Sequence, residues 1–206
     1  MNIKQQAILV GMILGDAFLQ KTGEKNARIR LEQSEKQRDY LVWKARQFPQ
    51  YFQGKPTTLI RTNPVFKKTY SYVRWQSNAS PEIGKYRHEF YRESKKIIPA
   101  TLSKLLRDPI GLAVWYMDDG YYYHRDKMAY IYLPRLTSEE CKILLTTLNK
   151  NFGLHPTIKL KKRGEHVLSF RVAETKILFS LIAQFIIPSM QYKLLDPVST
   201  DLERER

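Results

Sequence analysis

Two aspartates lie half a chain apart, each at the end of an apolar run. Leu9–Ala17 reads LVGMILGDA and Leu112–Gly120 reads LAVWYMDDG, and Asp16 and Asp119 are 103 residues apart in a chain of 206. Ile8, Leu9, Met12 and Ile13 recur at helical spacing. Gly11 and Gly15, four apart, leave room for another backbone, and Gly111 and Ala113 have a similar place in the second run. A carboxylate at a helix C-terminus sits at the wrong electrostatic end, where partial negative charge prefers a cation. One such Asp is an ordinary turn residue. Two, on helices shaped to pack together, make a self-repelling pair that divalent cations would relieve. Hard oxygen donors suit Mg²⁺ or Ca²⁺, and paired metals at phosphates suit in-line hydrolysis of a phosphodiester.

The elements after each acid correspond. Asp16 precedes a strand-like run Ala27–Gln33, a helical run Ser34–Phe52, strand-like runs Thr57–Thr62 and Thr69–Gln76, and a helical run ending near Pro99. Asp119 precedes Met128–Leu133, a helix Ser138–Phe152, strand-like runs Thr157–Lys162 and His166–Val172, and a helical run ending near Pro188. A period of half the chain predicts a duplicated α+β fold of two pseudo-symmetric αββαββα halves, residues 1–103 and 104–206. Thr137-Ser138-Glu139-Glu140 is a helix start and Gly153 a stop.

Alternation along the strands sets one polar face against one apolar face. Arg28, Arg30 and Glu32 oppose Ile29 and Leu31. Tyr70, Tyr72, Arg74 and Gln76 oppose Ser71, Val73 and Trp75, and Arg61 lies on Thr57–Thr62. In the second half Lys159, Lys161 and Arg163 oppose Ile158 and Leu160, while Ser169 and Arg171 oppose Leu168, Phe170 and Val172. Each strand alone reads as half-buried with a solvated outer face. Together they make a basic, hydrogen-bonding surface of the kind that enters a DNA major groove.

Lys plus Arg number 35 against 20 Asp plus Glu, a net charge of +15. This balance favours a polyanionic partner, nucleic acid first. The excess is +11 in residues 1–103 and +4 in 104–206. Hydrophobic content of 43% is that of a globular chain. The single Cys141, on an apolar helical face, excludes an intrachain disulfide and a cysteine-based zinc site. Leu178–Met190 is interrupted by Gln184 and Pro188 and is too short for a membrane span. No signal or transit peptide is evident, so a soluble intracellular protein is expected, with no membrane partner.

LVGMILGDA and LAVWYMDDG resemble the two motifs of the LAGLIDADG homing endonucleases in their single-chain form. Ala17 stands where the first motif's final Gly would be. Lys96-Ile97-Ile98-Pro99 is similar to the Lys-x-x-Pro element before the second motif in the yeast mitochondrial intron-endonuclease branch. Ile187-Pro188-Ser189-Met190-Gln191-Tyr192-Lys193-Leu194 is similar to that branch's terminal Pro-x-Met-x-Tyr-Lys element.

The resemblance implies motif helices packed at the centre, antiparallel saddle sheets on DNA, and cleavage of both strands with short 3′ overhangs. It implies that Asp16 and Asp119, with the carbonyls of Gly15 and Asp118, bind Mg²⁺. Mn²⁺ would substitute, and Ca²⁺ would bind without supporting efficient cleavage. Lys96 and Lys193 would sit near the two centres, and Gln33 would position water. In the second half Pro134 seems to fall where a polar residue is usual, with Arg135 as compensation, so unequal strand cutting is expected. The partner would be a double-stranded DNA target bound by a monomer, since one chain carries both motifs. Two other readings share the fold: an intron maturase that binds structured RNA, and a DNA-binding regulator with an inactive site. An intein is not expected, because no splicing-domain sequence flanks the motifs.

Overall fold

The computed structural model describes residues 1–161 and 164–194. Its order is α1 (Ile3–Leu14), β1 (Phe18–Lys21), β2 (Ala27–Ser34), α2 (Arg38–Arg46), β3 (Thr57–Thr62), β4 (Thr69–Gln76), α3 (Pro81–Phe90), β5 (Tyr91–Arg92), β6 (Lys95–Lys96), α4 (Leu102–Leu105), α5 (Pro109–Asp119), β7 (Gly120–Tyr123), β8 (Met128–Leu133), α6 (Ser138–Phe152), β9 (Thr157–Leu160), β10 (His166–Phe170) and α7 (Val172–Ile182). Short 3₁₀ turns cover Glu35–Gln37, Ala183–Phe185 and Pro188–Lys193. The expected αββαββα order occurs twice. No helix among the described residues is long and apolar enough to cross a membrane.

The chain forms two compact units: Asp16–Lys96, and Met1–Gly15 together with Ile97–Arg206. In the first, the sheet runs β1-β2-β4-β3, all antiparallel. β2 has alternating burial, with Ala27, Ile29, Leu31 and Gln33 inward and Arg28, Arg30 and Glu32 outward. Helices α2 and α3 cover the inner face with Tyr40, Leu41, Ile83 and Phe90. Ser80 caps α3 and Pro81 opens it.

Three local readings need correction. The helical run expected from Ser34 to Phe52 ends at Arg46. Beyond it, tight turns carry Phe48 and Phe52 into the core, with Pro49 excluding helix. The run expected to be helical up to Pro99 stops at Phe90, and a two-residue hairpin, Tyr91–Arg92 with Lys95–Lys96, follows. Lys96 is therefore a strand residue. His166–Val172 ends as a strand at Phe170, because Val172 already begins α7.

In the second unit the sheet order β7-β8-β10-β9 repeats the first. The core helix α5 is capped by Asp108, whose carboxylate accepts from Ile110 N at 2.9 Å, and Pro109 fills the first position. Ile110 to Met117 are all buried. α1 packs along α5 backbone to backbone: a Cβ on Gly11 would collide with the Gly111 carbonyl, and one on Gly111 would lie 2.7 Å from the Ala7 carbonyl oxygen. The paired glycines thus permit the helix contact and offset their cost within a helix of about 1 kcal/mol each. α6 has its full capping box at Thr137 and Glu140 and a left-handed stop at Gly153. Cys141, expected in the core, is half-buried.

Candidate active sites and nucleic-acid interface

At the end of α5 the chain turns directly into β7, leaving Asp118 and Asp119 half-buried at the helix's carbonyl end. The Asp118 carboxylate lies against the Gly15 backbone, where a Cβ would collide. Its carbonyl accepts a hydrogen bond from Lys193 Nζ at 2.9 Å. Lys193 is itself held: the Tyr116 hydroxyl donates to the Lys193 carbonyl at 3.0 Å. Burial pushes the Tyr116 hydroxyl far above the ordinary phenol range, so it stays protonated and donating. The Tyr116 and Tyr122 rings both meet Phe179 edge-on, at 5.8 and 5.3 Å, which fixes this corner. Tyr122 is thus a structural anchor.

The first unit holds its own acid and lysine. Asp16 is exposed and Ala17 fully buried. Lys96 Nζ donates to the Ala17 carbonyl at 3.2 Å. Its hairpin partner Tyr91 is fixed in turn, with the Leu19 N–H donating to the Tyr91 hydroxyl at 3.1 Å. Each unit therefore places a lysine ammonium on a main-chain carbonyl beside its acid: the residue before Asp119, and the residue after Asp16.

Gln33 lies on the inner face of β2, nine-tenths or more buried. Registers identify its counterpart. Phe18, two residues after Asp16, pairs with Arg30; Tyr121, two after Asp119, pairs with Tyr130. Counting three onward puts Leu133, not Pro134, in the place of Gln33. Leu133 is buried and Pro134 is exposed past the strand end. Arg135 lies against Gly164 in the β9–β10 turn.

The outer face of the first sheet gathers Arg28, Arg30, Glu32, Arg61, Tyr70, Tyr72, Arg74 and Gln76, through the pairs Arg30↔Gln76, Glu32↔Arg74 and Arg61↔Tyr70. Glu32 is its hub. It takes Arg61 at 2.7 Å, Arg74 Nε at 2.7 Å and Arg30 at 3.5 Å. Burial alone would raise its pKa, but the hydrogen bonds and charges of Arg61 and Arg74 outweigh that and hold it at about 2. Arg61 also stacks over the Tyr72 ring, 4.9 Å from its centre. Gln20, Thr57 and Leu59 share this face and were missed; Gln20 accepts from Arg28 Nε at 3.2 Å.

The second sheet's outer face differs. Lys159 and Lys161 are exposed, and Lys161 Nζ sits 4.1 Å from the centre of the Tyr132 ring. Arg163 lies outside the described residues. Ser169 shares the face but is buried at 1% exposure, which corrects its expected accessibility. It sits on an inner strand between Tyr130 and Thr157, and its short side chain lies below the surface they form. Arg171 is exposed but precedes α7, outside the strand. Instead the face carries Tyr121, Tyr123, Tyr130 and Tyr132, legible beforehand only as the period-two spacing Tyr121/Tyr123 and Tyr130/Tyr132.

Residues 6–178 match the LAGLIDADG DNA endonuclease family. A probable intron-encoded endonuclease 1 of Wickerhamomyces canadensis is 30% identical over 93% of this chain and 84% of its own. The cytochrome b mRNA maturase bI2 of Debaryomyces hansenii is 26% identical over 91% of this chain and 72% of its own. Among solved structures, the homing endonuclease I-WcaI bound to its DNA recognition sequence superposes with a TM-score of 0.86, at 28% identity over 94% of this chain and 87% of that one. I-DmoI, in complex with target DNA and manganese, shares the fold at 18% identity and a TM-score of 0.50, over 88% of this chain and 94% of that one. The chain belongs to the LAGLIDADG DNA endonuclease family and has the homing endonuclease fold.

Proposed function

We propose that this chain cuts both strands of a long, asymmetric double-stranded DNA target, using divalent metal and leaving short 3′ overhangs. The observation that carries this is the end of α5: two carboxylates and a carbonyl at a helix C-terminus, with an ammonium drawn to the carbonyl. Such hard oxygen donors fit Mg²⁺, with Mn²⁺ and Ca²⁺ able to take the same place. Asp119 with the Asp118 carbonyl, and Asp16 with the Gly15 carbonyl, are the groups that would hold the ions. A divalent cation there supplies positive charge to the transition state of phosphodiester hydrolysis and acidifies water.

The chain's own residues do the rest. Lys193 and Lys96, tethered to carbonyls, present ammonium charge beside each acid. Gln33 orients water in the Asp16 half. The outer sheet faces bind DNA, guanidinium groups reading base edges and tyrosines packing on bases and sugars. The two sequence halves 1–103 and 104–206 each serve one half of the target.

The test is cleavage selection on a long genomic or randomised duplex library in Mg²⁺ and in Ca²⁺, with ends sequenced. Cuts at one extended site in Mg²⁺, with 3′ overhangs and little product in Ca²⁺, are expected. Tight, salt-sensitive binding with no cutting would replace this reading with the maturase reading that the Debaryomyces hansenii relative exemplifies.

A further inference from the structure

In the first unit, α3 closes over the turn of the β1–β2 hairpin so tightly that a Cβ on Gly84 would collide with the Lys25 carbonyl. Beside this contact is a cavity of about 160 Å³, walled by Lys21, Lys25, Arg87 and His88, with Glu24 and Glu93 at its margin. Arg87 is 9% exposed. Its Nη2 donates to the Glu93 carbonyl at 2.6 Å, its guanidinium lies 3.9 Å from the centre of the Tyr91 ring, and its Nε has no hydrogen-bond partner. Among the described residues none of Lys21, Lys25 and Arg87 forms an ion pair.

A buried guanidinium without a carboxylate is costly, because its lost hydration is returned only by a carbonyl and a ring. Two free ammonium groups beside it raise the local positive potential further. A bound anion relieves all three at once. The guanidinium fork suits a planar or tetrahedral oxyanion, and flanking lysines supply point charges without demanding geometry. The opening also faces away from the outer sheet surface. Lys21 shares its strand face with buried Leu19, whereas Gln20 shares the outer face with Arg28.

We infer that this cavity is a phosphate-group site on the helical side of the first sheet, separate from the surface that carries Glu32 and its arginines. Its occupant is a phosphate, free or carried on a nucleic-acid strand. It gives the chain a second anionic contact that does not compete for the outer sheet face.

The experiment is calorimetric titration of the full chain with inorganic phosphate at constant ionic strength, repeated on a Lys21→Ser/Lys25→Ser double variant. Both lysines are exposed, so the fold should survive, which an unchanged circular dichroism spectrum verifies. Saturable binding at one site, weakened at least about tenfold in the double variant, is expected from the loss of two charge-assisted contacts. Glu24→Gln should tighten it, and Arg28→Ser on the outer face should leave it unchanged. Non-saturating heats that match sodium chloride, or equal binding in the double variant, would overturn the proposal. A short single-stranded oligonucleotide added as competitor then distinguishes the source. Displacement that is lost in the double variant assigns the site to a strand's phosphate; phosphate binding without displacement assigns it to a free one.

Discussion

The two sheets share strand order and register but not chemistry. Counting from the paired acids, Glu32 of the first sheet corresponds to Tyr132 of the second, and Leu59 to Lys161. At the centre of one face a carboxylate fixes three guanidinium groups; at the centre of the other an aromatic ring carries one ammonium. An arginine pinned by Glu32 presents its remaining donors in a set direction, which favours discrimination between bases. A lysine over a tyrosine is a mobile point charge beside a flat apolar surface, which favours affinity without direction. The difference teaches that a duplicated backbone can divide labour, with one half reading sequence and the other half gripping. The skewed charge of the halves, +11 against +4, leans the same way.

The largest effect should come from the acids themselves. Asp16→Asn or Asp119→Asn should each lower cleavage of one strand by at least about a hundredfold, the scale of losing a principal electrostatic group at a reaction centre. Duplex binding should be nearly unchanged. End-labelled strands followed in time would identify which centre cuts which strand. Undiminished cutting of both strands in both variants would remove the acids from the mechanism.

The next contrast is Gln33 against Leu133. If Gln33 orients water in its half, the strand served by the Asp119 centre should be cut more slowly and nicked duplex should accumulate. Leu133→Gln should narrow the gap and Gln33→Leu should invert it, each by about tenfold, the rate equivalent of about 1.4 kcal/mol. Equal strand rates in the wild-type protein would dismiss the asymmetry.

The acids, the two lysines, the strand faces and the duplicated order were legible because each rests on local periodicity or spacing. What was not legible depends on register and closure. Pro134 looked equivalent to Gln33 because sequence counting cannot see that β8 ends one residue earlier, at Leu133. Lys96 looked like a helix-end residue because the reversal at Glu93, with φ of 53°, is set by the tertiary fold and not by glycine. Ser169 obeyed its alternation and was still buried, since neighbouring strands decide how high the surface stands. The Glu32 hub joins three strands, and no window of sequence contains it.

Specificity should respond more moderately. Arg74→Ala should relax preference at one base position at a cost of about 1–3 kcal/mol, and Glu32→Gln should relax several at once while tightening non-specific binding. With one acid removed from the interface, the salt slope should steepen by about one phosphate equivalent. Tyr132→Leu should instead weaken all duplexes alike. Binding profiles over a library of single-base variants separate these outcomes. Identical profiles for the Glu32 and Tyr132 variants would dissolve the proposed division.

The smallest effect is on stability, and its sign follows from the low pKa of Glu32. A carboxyl held at about 2 when folded, against 4.5 as its ordinary value, binds its proton more weakly in the native state. Its contribution is therefore complete above the unfolded value and fades as pH falls from about 4.5 through 2. Urea unfolding midpoints should drop more steeply over that interval in the wild-type protein than in Glu32→Gln, and the two curves should converge at its acid end. Above pH 5 the variant should be the less stable, since three guanidinium groups lose their common counter-charge. Parallel curves would mean that the arginines are as well solvated without Glu32 as with it, and that the hub orders the DNA-facing surface without stabilising the fold.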